Sequence, residues 1–308
     1  MEIGFLKGRD LLSLSDLKAE EILQLLDLAR KMKSGQVNIQ SNKLLGLLFY
    51  KPSTRTRVSF WAAMSRLGGK VLDLNPALTQ ESRGEPLSDM ARVLSKYLDV
   101  LAIRTFGQEH LEEYARYANI PVINALSDFE HPCQVLADLL TIQECFGSFS
   151  DLTLTYLGDG NNISHSLLLA CALVGMNVRV ATPQEYQPNL TVLEKAKAIA
   201  QGRTEVQLLH DPKLAIQDAQ IIYTDMWASM GQDDSGDMRL PLFEPYQVND
   251  ELLSNVGSET IVMHCLPARR GEEITEEVIE GSRSRVWQEA ENRMHIQQAL
   301  LASLLGDD

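Results

Sequence analysis

Positive charge is scarce in this chain. Its 308 residues carry 28 Lys and Arg against 42 Asp and Glu, a formal charge of −14. Broad binding of nucleic acid or of an anionic membrane face needs a positive footprint, so neither is expected. Any anionic ligand has to be held by a local positive pocket inside a negative field. Long apolar runs are missing too, and nothing approaches the ~18 residues of a membrane span. The opening stretch, MEIGFLKGRDLLSLSD, lacks a secretory-signal layout and is neither acid-poor nor rich in Arg and Ser, as a transit peptide would be. A cytoplasmic location is expected. Cysteine is limited to Cys133, Cys145, Cys171 and Cys265, without a CxxC pair or metal-finger spacing. All should be free thiols, with Cys133, Cys145 and Cys171 packing as small hydrophobes. Internal repeats and low-complexity tracts are absent as well.

What is present is ordinary for a globular protein, with 44% hydrophobic and 23% charged residues. The length allows two domains, each with its own core. Ser15 and Asp16 offer N-cap oxygens to a first helix in which Ile22, Leu25, Leu26 and Ala29 repeat at helical spacing, with Gly35 past its basic last turn. Apolar strands are predicted at 44–50, 70–74, 99–103 and 121–124, with helices starting near 53, 87, 107 and 133. After a Gly/Ser break at 145–153, strands follow near 152–157, 177–181, 205–209, 220–223 and 260–263. Helices separate these strands, and a long amphipathic helix, through Val286, Ala290, Met294 and Ile296, ends the pattern. Such alternation predicts α/β architecture: two doubly wound parallel-sheet domains, with a site in the cleft between them. The first domain is expected over 1–146, rejoined by the helix 286–308, and the second over 147–285.

Against the acidic background one stretch stands out, FYKPSTRTRVSF at 49–60. It follows a buried-looking strand, and Pro52 suits the entry to a helix. A helix N-terminus there offers free backbone N–H groups and partial positive charge. Ser53, Thr54 and Thr56 add hydroxyls, and Arg55 adds a bidentate fork. The combination predicts an anion site, most economically for phosphate. Arg104 directly follows the strand DVLAI, and His131 and Gln134 open the helix after PVINA, so both fall at strand carboxyl ends of the same sheet. Arg293, in ENRMH, reads from spacing alone as a surface charge.

In the second half, LTYLGDGNNISH is strand, Gly turn and helix, but it lacks the third glycine of GxGxxG and a ribose-gripping acid on the next strand. A dinucleotide site is therefore not expected. Asn161 and Asn162 at the helix mouth suit the polar end of a small zwitterion instead. YTDMWASMGQDD puts Asp225 at a strand end, followed by a loop around Gly231 that reads as mobile. IVMHCLPARRGEE repeats the arrangement with Cys265 and Leu266 before Pro267. His264, adjacent to Cys265 on the strand, should point to the opposite face.

Together these stretches resemble the aspartate/ornithine carbamoyltransferase family along essentially the whole chain. STRTR and HPCQ resemble its shared carbamoyl-phosphate signature, while DMWASMG and HCLPA resemble its ornithine branch. The resemblance implies carbamoyl transfer from carbamoyl phosphate to the δ-amine of ornithine, giving citrulline and phosphate, without metal or organic cofactor. It also implies that Ser53, Thr54, Arg55, Thr56, Arg104 and Arg293 hold the phosphate, joined by Gln80 from a neighbouring subunit of a trimer with shared sites. Thr56, Arg104 and His131 would polarise the carbamoyl carbonyl, with Gln134 and the Leu266 carbonyl holding its amide. Asn162, Asp225, Ser229 and Met230 would grip ornithine, Asp225 and Cys265 lying near the reacting amine. Trp61, where smaller or acidic residues are frequent in the family, is expected to pack or face a subunit interface. Two rivals remain: transfer to another amine (aspartate, putrescine or acetylornithine) and a non-catalytic homologue that only binds carbamoyl phosphate.

Arg55→Ala should raise the carbamoyl-phosphate requirement and slow turnover by the equivalent of ~1.5–3 kcal/mol, the loss of one charged hydrogen-bond set. Steady-state kinetics check this, and unchanged constants would remove Arg55 from the site.

Overall fold

The computed structural model describes residues 3–227 and 236–306. The chain divides into one unit formed by Met1–Leu140 with Glu291–Asp308 and a second formed by Thr141–Ala290. In order, the first unit contains α1 (Ala19–Lys33), β1 (Leu44–Phe49), α2 (Arg55–Arg66), β2 (Lys70–Leu74), α3 (Leu87–Leu94), β3 (Val100–Arg104), α4 (Gln108–Tyr117) and β4 (Val122–Leu126). Helix α5 (Pro132–Phe146) carries the chain into the second unit. There follow β5 (Thr153–Leu157), α6 (Asn162–Val174), β6 (Asn177–Ala181), α7 (Leu190–Ala200), β7 (Val206–Leu209), α8 (Pro212–Ala215) and β8 (Ile221–Thr224). The remaining elements are α9 (Gly236–Phe243), α10 (Asp250–Leu253), β9 (Ile261–His264), α11 (Glu276–Ile279) and α12 (Val286–Leu305), the last returning to the first unit.

Every strand pair of the two sheets is parallel, as the alternation predicts. The four-stranded sheet has the order β2-β1-β3-β4 and the five-stranded one β7-β6-β5-β8-β9. In each, successive strands are laid down on one side of a first strand and then on the other. That reversal leaves a crevice between β1 and β3, and another between β5 and β8. Register makes the geometry definite: Phe49 pairs with Arg104 and Arg104 with Leu126, while Leu157 pairs with Thr224 and Thr224 with His264. The loops after those strands therefore leave from one edge of each sheet.

Strands buried on both faces read as nearly continuous apolar runs, and β1 (LLGLLF) and β3 (VLAIR) are such strands. Their core includes Leu48, Leu101, Ile103, Leu111, Tyr114 and Val122. In the second unit Leu157, Ile222, Val262, Ile274 and Val286 belong to one core. The free edge of β4 is covered by the N-terminal segment, whose Leu11 donates to Val122 O at 2.9 Å and accepts from Asn124 N at 2.8 Å.

Two expectations need correction. Helix α1 begins at Ala19, with the Glu21 carboxylate receiving the Lys18 N–H at 2.8 Å. Asp16 instead closes a short 3-10 turn, Leu14–Asp16, capped by Ser13. Cys145 is exposed near the end of α5, unlike Cys133 and Cys171. Trp61, expected to pack or to face a subunit interface, is 55% exposed on α2, one turn from Val58 at 58%, which fits the second placement and not the first. Among the described residues no helix is long and apolar enough to cross a membrane.

The turn after β5 tolerates no side chain at Gly160. Its N–H donates to Tyr186 O at 2.7 Å, and a Cβ there would lie 2.2 Å from Pro188 N. Because the opposing atoms are backbone, relief requires moving the 186–188 segment. Gly160→Ala should cost ~1–3 kcal/mol of stability, the usual penalty of overpacking. Denaturant unfolding measures it, and an unchanged midpoint would show that the segment yields freely.

Candidate active site

In the first unit the elements bring Thr56, Arg293, Arg104 and His131 near one another. Helix α2 starts at Arg55, and Ser53 Oγ accepts the Thr56 N–H at 3.3 Å. Thr56 is buried, and its Oγ1 accepts a hydrogen bond from Arg293 Nη2. Arg293 is thus no surface charge but 3% exposed on a buried polar face of α12 that also carries Asn292 and Gln297. The apolar spacing through Val286 and Ile296 does not foresee that face, because its buried members are largely polar. Arg104, the last residue of β3, is also buried, and its carbonyl receives the Tyr50 N–H at 2.8 Å.

The two arginines of STRTR part company. Arg57 pairs with Asp73 and stacks over Phe49, its guanidinium 5.0 Å from the ring centre. Arg55 makes no ion pair among the described residues. Gln80 is exposed on the turn Gln80–Arg83 and joins none of these contacts.

His131 immediately precedes Pro132, the first residue of α5. The junction is fixed from behind, since Ser127 Oγ accepts the Glu130 N–H at 3.1 Å and Glu130 accepts Ser13 Oγ–H at 2.6 Å and Leu14 N–H at 3.0 Å. Burial, aided by the charges of Arg293 and Arg104, pushes the His131 pKa well below its ordinary value. At neutral pH the imidazole is therefore uncharged, a hydrogen-bond donor rather than a third cation. Gln134 directs its Nε2 to Asp138 Oδ1 at 2.8 Å, which orients the amide with Oε1 as the acceptor for an N–H group.

The second unit gathers a different chemistry at its own strand ends. Asn161 caps α6, its Oδ1 accepting from Ile163 N at 3.0 Å and Ser164 N at 3.2 Å. Its Nδ2 donates to Asp225 Oδ2 at 2.8 Å, while Asp225 Oδ1 accepts from Cys265 Sγ–H at 3.0 Å. Asn162 is half-buried in the first turn of α6. Ser229, Met230 and Gly231 lie outside the described residues.

His264 does not turn its ring away from Cys265. A nitrogen of His264, the Cys265 thiol and an Asp225 oxygen lie within 4.8 Å of one another. The ring folds back because Nδ1 accepts the Leu266 N–H at 2.9 Å and Nε2 donates to Glu273 at 2.9 Å. A backbone N–H can only donate, so Nδ1 has no proton and Nε2 has one. Held in that tautomer, His264 braces the turn and is not placed to deprotonate Cys265. Leu266 sits there at φ 60°, followed by a cis peptide to Pro267. A β-carbon at positive φ is strained, and such strain persists only where the surroundings hold it.

Asp159 is a neighbour that spacing alone does not single out. Burial raises its carboxyl to about 6, partly offset by Arg239 and reinforced by the charge of Asp225. The signal in the sequence was an acid flanked by glycines directly after a buried strand.

Comparison with known proteins adds independent information. Residues 9–144 match the aspartate/ornithine carbamoyltransferase carbamoyl-P binding domain, and residues 150–304 match the Asp/Orn binding domain of the same family. An ornithine carbamoyltransferase of Nostoc punctiforme is 64% identical over 301 residues, 98% of each chain. One from Synechocystis is 58% identical over 306 residues, 99% of each. Among solved structures, the ornithine carbamoyltransferase of Pyrococcus furiosus superposes with a TM-score of 0.95 at 47% identity, covering 98% of this chain and 99% of that one. The enzyme from Gloeobacter violaceus gives 0.89 at 55% identity, covering 97% and 100%. Two family domains in succession, relatives alike from end to end and a shared fold leave one assignment: the chain belongs to the aspartate/ornithine carbamoyltransferase family.

Proposed function

We propose that the protein is an ornithine carbamoyltransferase, transferring the carbamoyl group of carbamoyl phosphate to the δ-amine of L-ornithine in arginine metabolism. The observation that carries this reading is the buried meeting of Thr56 and Arg293, with Arg104 and an uncharged His131 beside them. Cations and neutral donors together suit an acyl phosphate, a phosphate bonded directly to a carbonyl. Ser53, Thr54, Arg55, Thr56, Arg104 and Arg293 hold the phosphate, and Arg104, His131 and Thr56 stabilise the oxyanion that forms on the carbamoyl oxygen. Gln134 Oε1 and the Leu266 carbonyl accept from the carbamoyl amide. The first domain binds carbamoyl phosphate and the second ornithine.

Ornithine arrives with its δ-amine protonated, since such an amine has a pKa near ~10. Asp225 receives the ammonium, with Cys265 beside it, and Asn162, Ser229 and Met230 hold the rest of the amino acid. Once the ammonium has given its first proton to solvent, the amine lone pair forms the new C–N bond, the C–O bond to phosphate breaks with its electrons staying on the phosphate oxygen, and the second amine proton passes to that phosphate, which leaves as the dianion. Carbamoyl phosphate is already activated, so no carbamoyl-thiol intermediate is required. The tautomer that holds His264 on Leu266 and Glu273 supports this direct attack over a Cys265 nucleophile.

The active form is a cytoplasmic homotrimer in which Gln80 completes the carbamoyl-phosphate site of a neighbouring copy. Exposure of Val58, Trp61, Leu72 and Leu78 on and beside α2 and the edge strand β2 supports a partner there.

Citrulline formation from ornithine and carbamoyl phosphate, assayed beside aspartate, putrescine and acetylornithine, tests the proposal. Turnover with another amine alone, or with none, would overturn it. Asp225→Asn should raise the ornithine KM by roughly 10- to 150-fold, the equivalent of ~1.5–3 kcal/mol, and leave carbamoyl-phosphate binding intact. Cys265→Ser should retain measurable turnover, whereas a dead but folded variant together with a trapped S-carbamoyl adduct on the wild-type Cys265 would refute direct attack. Mixing Gln80→Ala with Arg55→Ala subunits should regenerate activity above either parent. Hybrids no better than the parents would show that sites are not shared.

A further inference from the structure

Among the described residues, the stretch 75–86 has a single side-chain hydrogen-bonding tie to the rest of its unit. Its other hydrogen bonds are local among the described residues: Leu78 N to Asn75 O, Thr79 N to Pro76 O, Ser82 Oγ to Thr79 O and Glu85 N to Gln80 O are examples. The exception is Glu81. One of its carboxylate oxygens, Oε2, accepts from Tyr50 Oη and, at 2.9 Å, from Tyr114 Oη. The other, Oε1, lies 3.2 Å from His110 Nε2, and His110 Nδ1 is 3.1 Å from Thr105 Oγ1. His110 stands edge-on to both phenol rings, with centroids 4.7 Å from Tyr50 and 5.4 Å from Tyr114. Burial opposes ionisation of Glu81, but the hydrogen bonds from His110, Tyr50 and Tyr114 outweigh it and hold the carboxyl below its usual range.

The partners of Glu81 are rigidly placed. Tyr114 is fully buried on α4, and Tyr50 directly follows β1, its N–H fixed on the Arg104 carbonyl. Glu81 thus ties its stretch to the chain that leads into Pro52–Thr56. Its sequence neighbour Gln80 faces outward, exposed. A short 3-10 turn, Gln80–Arg83, has too few internal bonds to hold that direction by itself.

We infer that Glu81, gripped by Tyr50, Tyr114 and His110, is a positioning residue that aims Gln80 out of its own subunit and toward the carbamoyl phosphate of the next. The inference rests on the proposed function for the role of Gln80, but the anchoring itself does not. Without Glu81, Gln80 keeps its chemistry and loses its direction. The effect therefore belongs to carbamoyl-phosphate capture and not to ornithine binding.

Hydrogen exchange measured by mass spectrometry on the full-length protein tests the anchor directly. Glu81→Ala should speed exchange of the 80–84 amides about tenfold while leaving β1 and β3 unchanged. Tyr50→Phe combined with Tyr114→Phe keeps the packing, removes both donors and should act in the same direction. Kinetics test the consequence: Glu81→Ala should raise the carbamoyl-phosphate KM about tenfold and change the ornithine KM less than twofold. In a Gln80→Ala background Glu81→Ala should add nothing further. Additive effects of the two substitutions, or a rise in both KM values alike, would overturn positioning through Gln80. Unchanged exchange at 80–84 in both variants would overturn the anchor. A wild-type protein that forms no citrulline would sink the proposed function instead, while exchange still decides the anchor.

Discussion

Parallel pairing is the constraint from which the rest follows. Once every strand of a sheet runs the same way, every carboxyl end lies on the same edge, and the turns that leave them share a neighbourhood. In the first unit that edge collects Tyr50 to Thr56, Arg104 and His131; in the second it collects Asp159 to Asn162, Asp225 and Cys265. The reversal of winding direction then separates adjacent connections, so that the turns do not fill the space between them. Chemistry sits where the fold leaves room, and residues far apart in sequence become neighbours without any loop having to reach.

Electrostatics sort the two edges. The first concentrates guanidinium groups in a chain that is strongly acidic overall, and desolvation there keeps His131 neutral so that it does not add to their mutual repulsion. The second concentrates a carboxylate, an amide and a thiol, with Asp225 tied to Asn161 and Cys265 through separate oxygens. An anion suits the first environment and a cationic amine the second.

Much of this is legible in the sequence because the signals are local. Alternating apolar runs predict the strands, and a crowd of donors after LLGLLF marks the anion-binding turn. What is not legible depends on partners remote in sequence. Arg293 looks like a solvated charge until α12 is seen to bury a polar face against Thr56. Strand alternation predicts that His264 faces away from Cys265, but its bonds to Leu266 and Glu273 apply past the strand's end, where alternation stops. The helix start misplaced at Ser15 has the same origin, since a capping signal fits a single 3-10 turn as well as a longer helix. Tyr50, His110 and Tyr114 are remote from one another in sequence, and only the Glu81 carboxylate brings them together.

The return of α12 to the first unit has a bearing on synthesis. A ribosome makes 1–140 first, yet that unit includes 291–308 and, with it, the guanidinium that meets Thr56. At ~5–20 residues per second, roughly 8–30 s pass while 141–290 are translated. Throughout that interval the nascent first unit lacks a buried helix from its core, leaving apolar surface such as the counterparts of Ile296, Leu300 and Leu304 uncovered. The complete first unit can therefore form only after translation has reached its last helix, an order that a unit continuous in sequence would not impose.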